Sequence, residues 1–150
     1  MPHSYSSCLI HYVFSTKDRR KLIPREIRGR LWAYLGGIAR ENDMKALAVG
    51  GTDDHAHILA SLPGTLSFAK AIQLLKGGSS KWVHDTFAAM KEFAWQEGYG
   101  AFSIAISGID DTIAYINRQE EHHHTLTFEE EFVGFLKRHA IEYDPRHVFG

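Results

Sequence analysis

The apolar residues of this chain change their spacing in a set order, and that order limits the fold more than any single residue does. Residues 4–16, "SYSSCLIHYVFST", are rich in β-branched and aromatic side chains and read as a first strand. From Ile27 the apolar positions recur as Leu31, Leu35 and Ile38, a helical stripe that starts near Pro24 and runs to about Asn42. "KALAVG" (45–50) and "HAHILASL" (55–62) read as two strands. The glycines of "GGTDD" join them in a hairpin. Phe68, Ile72 and Leu75 open a second helix that continues through "SSKWVHDTF" if Gly77 and Gly78 do not interrupt it. "AFSIAIS" (101–107) alternates as a fourth strand, with a short strand near "EFAWQ" before it.

The resulting order is β-α-β-β-α-β. It predicts a ferredoxin-like α+β fold: an antiparallel sheet with both helices on one face and strands one and three in its centre. Two further helices follow. One covers 110–123, with Asp110 or Asp111 as its N-cap. The other covers 127–139 and opens on Thr127 and Glu130 at capping-box spacing. This last helix reads as purely structural. With 150 residues and 44% hydrophobic content, a single domain (1–150) with a full core is expected.

No apolar run approaches the roughly 20 residues that span a bilayer, so no membrane role is expected. The N-terminus lacks a basic start and a small-residue cleavage site, and Cys8 has no second cysteine to pair with. A cytoplasmic location fits both features. There is no Gly-rich phosphate loop, hence no nucleotide cofactor is expected. The net charge of −1 excludes a generally basic DNA-binding surface. Residues 17–30 nevertheless carry seven basic and two acidic side chains, a local basic stretch.

The chemistry concentrates in "GTDDHAHILASLP" (51–63). Alternation puts His55, His57, Leu59 and Ser61 on one face of the strand. Ala56, Ile58, Ala60 and Leu62 take the other face, which suits packing under the helices. The imidazoles therefore point to the face predicted to be uncovered. Residues two apart on a strand lie about 6–7 Å apart at Cα, close enough to converge on one divalent ion. Asp53 and Asp54 stand beside the pair and could orient a ring. On the first C-terminal helix, Tyr115 and Gln119 are four apart and share a face, with His122 nearly returning to it. "HHH" (122–124) reads as a solvated helix end. Tyr99 and Tyr143 are read as poor nucleophile candidates.

Together, "DHAHILASLP" and "YINRQ" resemble the single-tyrosine HUH transposases of the smallest bacterial insertion sequences. "HYVFSTKDRRKLI" looks like the first strand and basic loop of that family. "LKGGSSKW", "FAWQEGYGAFSI" and "QEEHH" are similar to a subgroup related to the REP-associated tyrosine transposases. The resemblance extends from about residue 5 to 149.

It implies that His55, His57 and Gln119 hold a divalent metal, Mg²⁺ or Mn²⁺, and that Tyr115 attacks phosphorus. The product is a 5′-phosphotyrosine and a free 3′-OH, which a second 3′-OH can reverse. The implied partners are single-stranded DNA hairpins and a second copy of the chain, in a homodimer that could exchange the tyrosine helix. Lys17, Arg19, Arg20 and Lys21 are the candidate phosphate contacts. Lys70, Lys76 and Lys81 are weaker ones. The alternative is a domesticated protein that grips hairpin nucleic acid without cutting it.

Overall fold

A computed structural model describes residues 4–122 and 126–149. Its main elements are β1 (Leu9–Ser15), α1 (Arg25–Glu41), β2 (Lys45–Gly51), β3 (His55–Ser61), α2 (Phe68–Thr86) and β4 (Gly100–Ser103). They are followed by α3 (Ile109–Asn117), a short α4 (Gln119–His122) and α5 (Phe128–Arg138). The strands form one sheet in the order β2-β3-β1-β4, with every neighbouring pair antiparallel. This is the expected ferredoxin-like arrangement, and β1 and β3 are central.

The first face of the sheet follows from the alternation. Tyr12 and Phe14 of β1 stand opposite Ile58 and Ala56 of β3. All are buried with Leu31, Leu35 and Ile38 of α1 and Ile72 and Leu75 of α2 in one apolar cluster. The α2 helix runs through Gly77–Gly78 without a break. Gly78 has a packing reason: a Cβ there would come within 2.9 Å of Ile38 Cδ1, so the glycine lets α1 and α2 approach.

The second face departs from expectation. It is covered, because α5 packs there. Phe128, Phe132, Phe135 and Leu136 form a second cluster with Val13 and Phe102. The α3 helix lies over the neighbouring part of β2, where Ile116 meets Gly50. A stripe of three phenylalanines on an amphipathic helix needs an apolar surface, and this sheet face supplies one.

Several local readings are also corrected. The predicted helix over 110–123 is interrupted at Arg118, so Tyr115 and Gln119 sit on consecutive short helices. Its N-cap is Gly108, not an aspartate; Asp110 and Asp111 occupy the first turn, where carboxylates favour the helix dipole. The fourth strand stops at Ser103 and gives way to a 3-10 turn at Ile106–Gly108. The short strand near "EFAWQ" is reduced to one bridge between Thr16 and Trp95. The capping box of Thr127 and Glu130 at the start of α5 is present. Among the described residues, no helix is long and apolar enough to cross a membrane.

Candidate active site

His55 and His57 emerge from the centre of the sheet on the face that α3 and α5 cover. Both are fully buried. Their ring centroids are 5.2 Å apart. The neighbouring strand is adapted to them: Gly50 of β2 pairs with His57, and a Cβ on Gly50 would fall 2.7 Å from the Ile116 carbonyl oxygen. The glycine thus lets the end of α3 settle beside the histidine. Gln119 follows directly and brings its Oε1 to 2.9 Å from His55 Nε2.

Glu131 of α5 completes the group. Its Oε1 lies 2.9 Å from His57 Nε2 and 3.5 Å from His55 Nε2. Its Oε2 accepts a hydrogen bond from Gln119 Nε2 at 3.1 Å and a short one from the Tyr115 hydroxyl. His55, His57 and Glu131 offer ligand atoms within 4.8 Å of one another. All four sequence-derived residues (Tyr115, Gln119, His55 and His57) therefore meet within one chain.

The outer nitrogens are held as well. Asp54 Oδ1 is 2.8 Å from His55 Nδ1, and Thr52 Oγ1 is 3.0 Å from it. A carboxylate only accepts, so the proton of His55 belongs on Nδ1. Nε2 is then the ring atom turned to Gln119 Oε1 and Glu131 Oε1. The Gln119 amide is oriented by its donation to Glu131, so its oxygen is the atom turned to the histidine. Where a cation sits among these oxygens, ligation by Nε2 would take the place of its hydrogen bond to Gln119. Two imidazoles with carboxylate and amide oxygens are a donor set that fits a divalent cation.

Tyr115 is half-buried. Burial and the neighbouring Glu131 carboxylate raise its pKa above the ordinary tyrosine value. It borders a cavity of about 280 Å³ that is also lined by His11, Thr112, Phe135, Arg138 and His139.

Glu131 and His11 were not foreseen. Glu131 occurs on a helix whose capping box and phenylalanine stripe account for it structurally. The available signal was its position, three after Phe128 and four before Phe135, which puts an acid on the apolar face. His11 alternates with Tyr12 on β1 and so shares the histidine face. Asp54, noted from sequence as a neighbour, does contact a ring. The His122 side chain and residues 123–125 lie outside the described residues.

The basic loop lies after β1. Lys17, Arg20 and Lys21 are exposed. Arg20 pairs with Glu92 at 2.9 Å. Arg19 pairs with Glu129 at 3.5 Å and lies over the Phe149 ring at 5.1 Å. Lys17 and Arg19 line a cleft of about 830 Å³ with Tyr99, Tyr143, His147 and Phe149. Of the weaker candidates, Lys81 pairs with Asp85, and Lys76 donates to the carbonyls of Gln96, Glu97 and Gly98. Lys70 is exposed.

Comparison with known proteins gives the family and the fold. A family model described as "Transposase IS200 like" matches residues 4–119. The transposase for insertion sequence element IS200 of Salmonella typhimurium is 29% identical in an alignment of 105 positions that covers 66% of this chain and 68% of that one. A crystal structure of a Deinococcus radiodurans protein superposes with a TM-score of 0.63 at 20% identity, covering 78% of this chain and 94% of that one. A REP-associated tyrosine transposase bound to a REP hairpin superposes with a TM-score of 0.60 at 17% identity, covering 81% and 72%. At these identities the two structures speak for the fold.

Proposed function

The chain belongs to the IS200-like transposase family, and on that premise we propose that it cleaves and rejoins single-stranded DNA hairpin ends through Tyr115. One observation carries this reading: the Tyr115 hydroxyl, His55, His57, Gln119 and Glu131 converge on one point. In this reading His55, His57, Gln119 and Glu131 hold a divalent cation, Mg²⁺ or Mn²⁺. When bound, such an ion polarises the scissile phosphate and stabilises the charge on the departing 3′ oxygen.

The remaining work falls to the chain's own side chains. Glu131 Oε2 accepts the Tyr115 O–H and orients the hydroxyl. The tyrosine oxygen attacks phosphorus and gives its proton to Glu131, the bond to the 3′ oxygen breaks, and that oxygen takes up a proton, leaving a 5′-phosphotyrosine and a 3′-OH. The phosphodiester bond is exchanged rather than lost, so a second 3′-OH can reverse the step without an external energy source. Phe128 packs on His55, and Phe135 packs on His57 and Tyr115; both limit water, which would otherwise hydrolyse the intermediate. Lys17, Arg19, Arg20 and Lys21 contact phosphates, and the aromatic cleft beside them suits unpaired bases. The hairpin held by the REP-associated relative supports this choice of substrate.

The resemblance also implied a homodimer exchanging its tyrosine helix. Convergence within one chain supports catalysis in cis, with any dimer formed by other surfaces. Hairpin binding without cleavage is the alternative reading. The test is incubation with a single-stranded hairpin oligonucleotide and Mn²⁺, followed by denaturing electrophoresis. A covalent adduct is expected for the parent and not for Tyr115→Phe. An adduct that persists in the variant would remove Tyr115 from its role. Tight hairpin binding with no adduct under any divalent ion would establish the alternative.

A further inference from the structure

We propose that His11 is a positioning residue: it holds His57 in the tautomer that turns an unprotonated Nε2 toward the cation. The inference rests on the metal-holding reading above and adds to it a residue outside the ligand set.

The geometry begins in the sheet. Val13 of β1 pairs with His57 of β3, and His11 pairs with Leu59. His11 is thus the diagonal neighbour of His57 on the same face, a distance that two aromatic rings can bridge. They do: His11 Nε2 lies 2.8 Å from His57 Nδ1. Both residues are buried. The His11 ring is fixed from its other side by Phe135, edge-on at 5.1 Å. Its orientation is therefore set by packing as well as by the hydrogen bond.

A neutral imidazole carries one proton on two nitrogens. If His11 donates to His57 Nδ1, the His57 proton sits on Nε2 and points to Glu131. If His57 donates from Nδ1 to His11, its Nε2 is bare and can ligate. A histidine at position 11 serves both states, since its own Nε2 can donate or accept. Phenylalanine could do neither.

Charge explains why a neutral partner suits this position. His55 already leans on the Asp54 carboxylate, and Glu131 supplies a second negative charge. A third carboxylate behind His57 would leave a buried excess. Burial disfavours a charge on the His11 ring.

The experiment measures Mn²⁺ binding to the full chain by calorimetry, without DNA, for the parent, His11→Phe and His11→Gln. Thermal unfolding of each confirms folding. Phenylalanine keeps the packing against Phe135 and removes the bond. Its Mn²⁺ affinity is expected to fall about 10- to 100-fold, as for other partners that orient a metal-bound histidine. Glutamine can place an amide where Nε2 stood, and it is expected to restore most of the loss. In ¹⁵N spectra of the Mg²⁺-loaded protein, His57 should carry its proton on Nδ1 in the parent.

Equal Mn²⁺ affinity in the parent and His11→Phe would overturn the proposal. So would a glutamine variant as weak as the phenylalanine one. A parent that binds no Mn²⁺ would instead overturn the underlying metal reading, a result distinct from equal binding by both.

Discussion

Tyr115 donates its hydroxyl hydrogen to Glu131, which stands 16 residues further along the chain on a different helix. The same carboxylate reaches His57 with its other oxygen. One side chain of α5 thus ties Tyr115 to the histidine pair, and the first prediction concerns it. Glu131→Gln preserves the volume and the bond to Tyr115 but removes the charge. Mn²⁺ affinity should drop at least about tenfold, measured by calorimetry. Parent-like affinity would leave His55, His57 and Gln119 as the sufficient ligand set.

A second prediction concerns the arrangement of active sites. Tyr115→Phe and His57→Ala each remove a different part of one site. If catalysis is in cis, a mixture of the two inactive variants forms no adduct with hairpin DNA. An adduct in the mixture would show that the tyrosine helix serves the partner subunit.

Gly50→Ala tests the approach of α3. The added Cβ would press on the Ile116 carbonyl and side chain, at 2.7 and 3.0 Å, so the helix must shift. Overpacking of this kind costs about 1–3 kcal/mol. Because Ile116 adjoins Tyr115, adduct formation should fall together with the melting temperature. Loss of stability with an unchanged cleavage rate would show that α3 adjusts without moving the hydroxyl.

The pH dependence of stability carries the mark of Tyr115. Burial, then the Glu131 charge, raises its folded-state pKa above the ordinary value near 10. The stability gained by keeping the phenol neutral is complete below about pH 10 and is lost as pH rises through the folded-state value. Melting temperatures measured from about pH 8 to 11 should fall more steeply for the parent than for Tyr115→Phe. Parallel curves would contradict the raised pKa.

The strands and the first two helices were legible because their side chains face only two environments, and alternation or helical spacing reveals which. Ala56, Ile58 and Ala60 could only go under α1 and α2, which aimed His55 and His57 the other way. Tyr115 and Gln119 were legible through a short motif. The covering of the second face was not, because α5 reads as an ordinary amphipathic helix with a good cap. Its phenylalanines require an apolar partner but do not say which one.

The sequence by itself therefore determined the order of elements, the facing of the histidine pair and the identity of the tyrosine and amide that accompany it. The first two are local properties, set by backbone period and steric alternation within a few residues; the tyrosine and amide were singled out by resemblance to a known family. Only the tertiary structure decided that Glu131 and His11 join the histidine pair. Glu131 comes 74 residues after His57 and His11 comes 46 residues before it. Contacts at such separations depend on how the helices and strands pack together, and no period within a single element records that packing.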